Sequence, residues 1–167
     1  MALLFMSTIL LAQGDAIILT PKEVTGARLK PFVERLIKYN VTLNSDGNLE
    51  CKSSVKSDRH YFDKELGICF YPENQMIFFI SILPKPKELP RSNIIDMKLV
   101  NNAFNKPCAF QVFTDDAGDS YMKYCIFYGG GLNLTNFGIA LQTFVNFDEA
   151  WKENTLRSMR TMPKRIK

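Results

Sequence analysis

Residues 99–151, LVNNAFNKPCAFQVFTDDAGDSYMKYCIFYGGGLNLTNFGIALQTFVNFDEAW, constrain the fold more than any other stretch of the chain. A helical pattern closes on Asn105, and Pro107 stops it. Two β-rich runs follow, 108–114 and 121–128, separated by the turn sequence DDAGDS. Such residues favour tight turns, because Asp bonds its own backbone and Gly takes positive φ at little cost. Gly129, Gly130 and Gly131 then lead into Leu134, Phe137, Leu141, Phe144, Val145 and Trp151, spaced for one face of a helix. Asn133 or Thr135 is its expected cap. A hairpin that hands over to an amphipathic helix has to pack that helix against a sheet.

The rest of the chain supplies the sheet. Thr20-Pro21-Lys22-Glu23 reads as a capped helix start, with proline in the first helical position and glutamate reaching back to the cap. Val24, Ala27, Phe32, Leu36 and Tyr39 would form its apolar face, with Pro31 kinking or restarting the helix and Asn40 ending it. Residues 41–43 and 49–55 read as a hairpin around Asn44-Ser45-Asp46-Gly47, and 56–65 as a polar loop. Two more strands are expected over 67–71 and 76–83. The second, MIFFISIL, is nearly all apolar and is expected to be a central strand buried on both faces. Pro84, Pro86 and Pro90 mark a crossover, and a second helix near Ser92 or Asn93 would carry Ile95, Met97, Val100 and Phe104. The order helix, strands, helix, hairpin, helix predicts an α+β fold, an antiparallel sheet with flanking helices, in one domain over 17–167.

Composition agrees with a folded domain: 167 residues, 46% hydrophobic and 23% charged. The net charge is +4, and Arg157, Arg160, Lys164, Arg165 and Lys167 collect in the last eleven residues. No matching stripe of Arg and aromatics runs through the body, so no nucleic acid is expected as partner. Residues 1–16 carry an apolar run from Leu3 to Ala12, too short for a transmembrane anchor. Ala12 and Gly14 are spaced for signal-peptide cleavage after Gly14, but no Lys or Arg precedes Lys22 to form a positive n-region. The expectation is a cytoplasmic chain with a flexible amino terminus. Export after cleavage near Gly14 is the alternative.

Chemistry is sparsely encoded. Cys51, Cys69, Cys108 and Cys125 form no CxxC pair, and His60 is the single histidine, so neither a zinc site nor a histidine-based catalytic set is expected. Cys108 and Cys125 flank the acidic turn and could bridge across the hairpin in an oxidising compartment. Asp115, Asp116 and Asp119 lack the spacing of a calcium loop, and no Lys-Ser/Thr follows the three glycines as a phosphate loop requires. No catalytic residue, metal or cofactor is therefore expected, and the chain reads as no enzyme. The aromatics Phe110, Tyr121, Tyr124, Phe127 and Tyr128 spread over both faces of the hairpin, so the second face needs a cover: a helix, a dimer mate or a client segment. Tyr121, Phe127, Phe137 and Phe144 are the candidate partner-binding residues.

The stretch from Leu99 to Trp151 also resembles the YbjN family of bacterial proteins, whose fold is similar to that of type III secretion chaperones. The matching features are an apolar helix ending in Asn102-Ala103-Phe104-Asn105, a strand, an acidic turn, a second strand and a Leu- and Phe-rich terminal helix. Thr20 to Tyr39 would be the family's opening helix and Met76 to Leu83 an inner strand, so the resemblance covers about 130 residues. The triple glycine and the proline-rich crossover are not part of the family pattern. The resemblance implies a noncatalytic regulator or chaperone-like binder of a protein partner, or of itself as a homodimer. The competing reading is a small exported enzyme or ligand-binding protein held by a Cys108–Cys125 bridge.

Overall fold

Short β-rich runs joined by tight turns build most of the structure, a computed structural model that describes residues 17–37, 39–53, 65–84 and 110–161. Strand β1 is Ile18–Leu19, helix α1 Gly26–Ile37, β2 Tyr39–Leu43, β3 Leu49–Ser53, β4 Glu65–Tyr71 and β5 Met76–Leu83. Then come β6 Gln111–Thr114, β7 Ser120–Phe127, β8 Leu132–Asn133 and helix α2 Leu134–Thr161. Six strands form an antiparallel sheet in the order β2-β3-β4-β5-β7-β6, and β1 pairs separately with β8. The α+β class and the antiparallel sheet with flanking helices are as expected from the sequence.

The turns are set locally. Asn44 Oδ1 accepts the N–H groups of Asp46 and Asn48, and Gly47 sits at φ 78°, which closes the β2–β3 hairpin. Pro72–Asn74 forms a short 3-10 turn, and Gln75 at φ 52° completes the reversal from β4 to β5. In the acidic turn, Asp115 Oδ1 accepts from the N–H groups of Gly118 and Asp119, while Oδ2 accepts from the Tyr121 hydroxyl. Gly131, at φ 109°, lets β1 pass close by: a Cβ there would stand 2.8 Å from the Leu19 carbonyl oxygen.

The opening helix differs from its sequence reading. The Thr20–Glu23 box forms, with Glu23 Oε2 accepting from both the N–H and the hydroxyl of Thr20, but it closes only a 3-10 turn over Pro21–Glu23. Val24 is buried in a non-helical conformation, and the helix starts afresh at Gly26. Thr25 caps it, its hydroxyl accepting from Arg28 N–H at 3.2 Å. The helix runs on through Pro31, whose missing donor leaves the carbonyl of Ala27, a residue on the exposed side. Its buried stripe is Gly26, Leu29, Val33 and Ile37, with Phe32 and Leu36 half-buried. Ala27 is exposed, and Tyr39 and Asn40 belong to β2.

At the other end Asn133 caps α2, accepting from Asn136 N–H at 3.0 Å. The helix lays Phe137, Leu141, Phe144 and Trp151 onto the sheet. Phe79 of β5 meets Phe137 and Phe144 edge-on at 5.5 and 5.6 Å, and Phe110 meets Phe144 at 5.7 Å. Helix α1 packs beside α2, with Phe32 against Phe137 and with Gly138 facing Phe32 and Leu36. Strand β5 is central, between β4 and β7. It is not buried on both faces, however. Ile77, Phe79, Ser81 and Leu83 turn to the helices and are buried, while Met76, Phe78 and Ile80 are half-buried and Ile82 is exposed. The expected polar loop ends one residue early, since Glu65 opens β4; its residues 56–64 with His60, the expected second helix, residues 1–16 and Cys108 lie outside the described residues.

Candidate protein-binding face

Period-two alternation gives the six-stranded sheet an inner face under α1 and α2 and an outer face turned away from them. The register places the outer side chains side by side. Cys69, Phe78 and Cys125 lie in one row across β4, β5 and β7, and Ile80, Lys123 and Gln111 in the next across β5, β7 and β6. Ile82, Tyr121 and Phe113 make a third row. Tyr71, Met76 and Phe127 close the far end. This face is apolar where sheet surfaces are ordinarily polar.

Its aromatics are ordered by contacts with one another. Tyr71 meets Phe78 edge-on at 5.3 Å, and Phe113 stacks on Tyr121 at 5.0 Å with 12° between the rings. Lys123 Nζ stands 5.3 Å from the centre of the Phe113 ring, a cation–π contact. At the β3–β4 side the face becomes polar, where Lys52 Nζ lies 3.2 Å from Glu65 Oε1. Eight large apolar side chains stand exposed among the described residues, and four of them are here: Phe127 at 74%, Tyr71 at 47%, Ile82 at 46% and Phe113 at 40%.

The four residues singled out from the sequence divide between the two faces. Tyr121 and Phe127 are on the outer face. Phe137 and Phe144, exposed by 1% and 0%, are core residues between α2 and β5, and their rings reach no surface. The sequence reading missed Tyr71, Phe78, Ile82 and Phe113. Their signal was present as period-two alternation in β4, β5 and β6, with apolar residues on both faces.

Titratable groups are tied up in structure. Desolvation alone would raise the Asp115 carboxyl, but the N–H groups of Asp119 and Gly118 and the Tyr121 hydroxyl outweigh it and hold it below the ordinary carboxylate range. That carboxylate is engaged in closing its own turn. Burial, and then the Asp115 carboxylate, push the Tyr121 phenol upward. Inside, Lys152 and Asp148 of α2 form a buried ion pair at 3.0 Å beneath β4 and β5, with Lys152 Nζ 3.5 Å from the Glu65 carbonyl oxygen. Burial raises the Asp148 carboxyl, and Lys152 opposes the rise. Cys51, Cys69 and Cys125 are free thiols, all raised by burial, with Lys123 opposing the effect at Cys69. Cys108, the other half of the bridge considered from the sequence, lies outside the described residues. Among the described residues no cluster of His, Cys, Asp and Glu is arranged to hold a metal ion, and no helix is long and apolar enough to cross a membrane.

No protein-family model matches the chain, and neither does any curated protein. Among solved structures the chain is similar to one described as the structure of the HopA1–SchA chaperone–effector complex. The identity is 15% and the TM-score 0.42, over 72% of this chain and 87% of that one. A likeness this shallow assigns no role.

Proposed function

We propose that the chain is a non-catalytic protein-binding domain, a YbjN-like regulator or chaperone-like partner binder, whose outer sheet face is covered by an apolar segment of another protein or of a second copy. The observation that carries this reading is the concentration of exposed apolar side chains on that face: Tyr71, Ile82, Phe113 and Phe127. Burying such surface yields about 25 cal/mol per Å², so covering a patch spread over four strands favours association without any bond making. Tyr121 and Phe127 are the contact residues retained from the sequence reading, and Phe137 and Phe144 hold the sheet in shape from behind. The element order, with α1 ahead of the strands and a hairpin handing over to α2, supports the YbjN-like reading. The free thiols fit a reducing compartment, and with it a cytoplasmic site of action.

Site-specific photocrosslinking in the native host tests the assignment. A benzoylphenylalanine at position 127 is expected to capture a discrete protein, while the same group at the exposed Glu153 of α2 captures none. Equal capture from both positions, or none from position 127, would sink the reading.

A further inference from the structure

We propose that the segment seated on the outer face is apolar and carries a carboxylate that pairs with Lys123. The inference rests on the docking role proposed above and specifies the partner's chemistry. Lys123 lies near the middle of β7, on the apolar part of the sheet. Ile80 is its neighbour across one strand and Gln111 across the other, and Tyr121 and Cys125 flank it along its own strand. Its ammonium rests against the Phe113 ring. Among the described residues no carboxylate pairs with it: Glu65 is engaged by Lys52, and Asp115 by its own turn.

A cation in that setting, with no carboxylate paired to it among the described residues, selects its cover. A wholly apolar segment laid over the face would strip water from the ammonium and offer nothing in return, which is the costly way to bury a charge. A segment with one Asp or Glu among aliphatic or aromatic residues would bury the apolar rows and neutralise Lys123 together. Electrostatic matching of this kind fixes register and partner choice. A second copy fits less well. A two-fold stacking centred on β5 and β7 would set Lys123 against Lys123, between chains that each carry a net charge of +4. An acidic-apolar partner segment satisfies both the charge and the surface.

Display of random linear peptides, selected in parallel on the purified protein and on its Lys123→Glu, Lys123→Arg, Lys123→Met and Phe127→Ser variants, tests this. Melting curves first establish that each variant folds, and Lys123→Arg keeps the charge if Lys123→Met does not fold. Peptides won on the unaltered protein are expected to carry a carboxylate flanked by apolar residues and to bind Lys123→Arg comparably. They should bind Lys123→Met about tenfold more weakly or worse. Lys123→Glu should select Lys or Arg at the same place. Peptides that need Phe127 but ignore the charge at 123 would overturn the carboxylate pairing and leave the docking role standing. Failure to select any Phe127-dependent peptide would overturn both. A self-associated species that Phe127→Ser dissolves and Lys123→Met tightens would overturn the carboxylate pairing alone and give the face to a second copy.

Discussion

Cys51 and Cys125 are one residue type in two environments, and the difference lies in what burial does to a proton. Cys51 sits on the inner face, between Val41 and Leu66 of the neighbouring strands, and burial pushes its thiol from 9.0 up to about 12. In the unfolded chain the thiol ionises near its ordinary value, while in the folded chain it keeps its proton until about pH 12. The folded state therefore binds more protons over that window, and stability must fall as pH rises through it, by about 1.4 kcal/mol per unit. Tyr39, also raised by burial and by Glu149 and Asp148, adds to the loss above pH 10. Urea unfolding midpoints are expected to drop from about pH 9 upward, and Cys51→Ala to flatten the drop between about pH 9 and 10. An identical slope in the variant would assign the alkaline loss to other groups.

At the scale of the element, the opening segment shows a local signal overruled by packing. The Thr20–Glu23 box is intact, yet the chain leaves the helical path at Val24 so that this side chain can enter the core. The helix resumes at Gly26 because its backbone passes against the Gly47 turn, where a Cβ would collide with the Gly47 carbonyl oxygen. Alanine is ordinarily better than glycine in a helix by about 1 kcal/mol. Here the collision is expected to dominate, and Gly26→Ala should cost about 1–3 kcal/mol in urea unfolding. A variant as stable as the parent would refute the close approach of α1 to the β2–β3 hairpin.

For the whole molecule, the sheet has two faces with different duties, and the same residue type serves each. Phe144 is enclosed by Phe79 and Phe110, so Phe144→Ala should lose about 3–5 kcal/mol through the cavity it leaves. Phe127 stands exposed on the other face, and Phe127→Ser should move stability by about 0.5 kcal/mol or less. Thermal melting of the two variants separates these duties. Comparable losses in both would mean that the outer face is part of the folded core and not a docking surface.

Much of this fold was legible because turns and periodicity are local. Asn44 to Gly47, the DDAGDS turn and the Leu134–Trp151 stripe each fix a short geometry from their own residues, and the hairpins and α2 followed from them. The sequence alone also bounded the chemistry: one histidine, no CxxC and no phosphate loop. It could not say which side of MIFFISIL faces the helices, because a strand apolar at every position but Ser81 has too little period-two contrast to break the tie, and Ser81 itself lies on the buried side. Nor could it separate Phe137 from Phe127, since both are large apolar residues in regular patterns. Those assignments depend on which rows α1 and α2 cover, and that is decided by packing between residues far apart in the chain. The setting of Lys123 arises the same way, from Ile80 and Gln111, which β5 and β6 bring to either side of it.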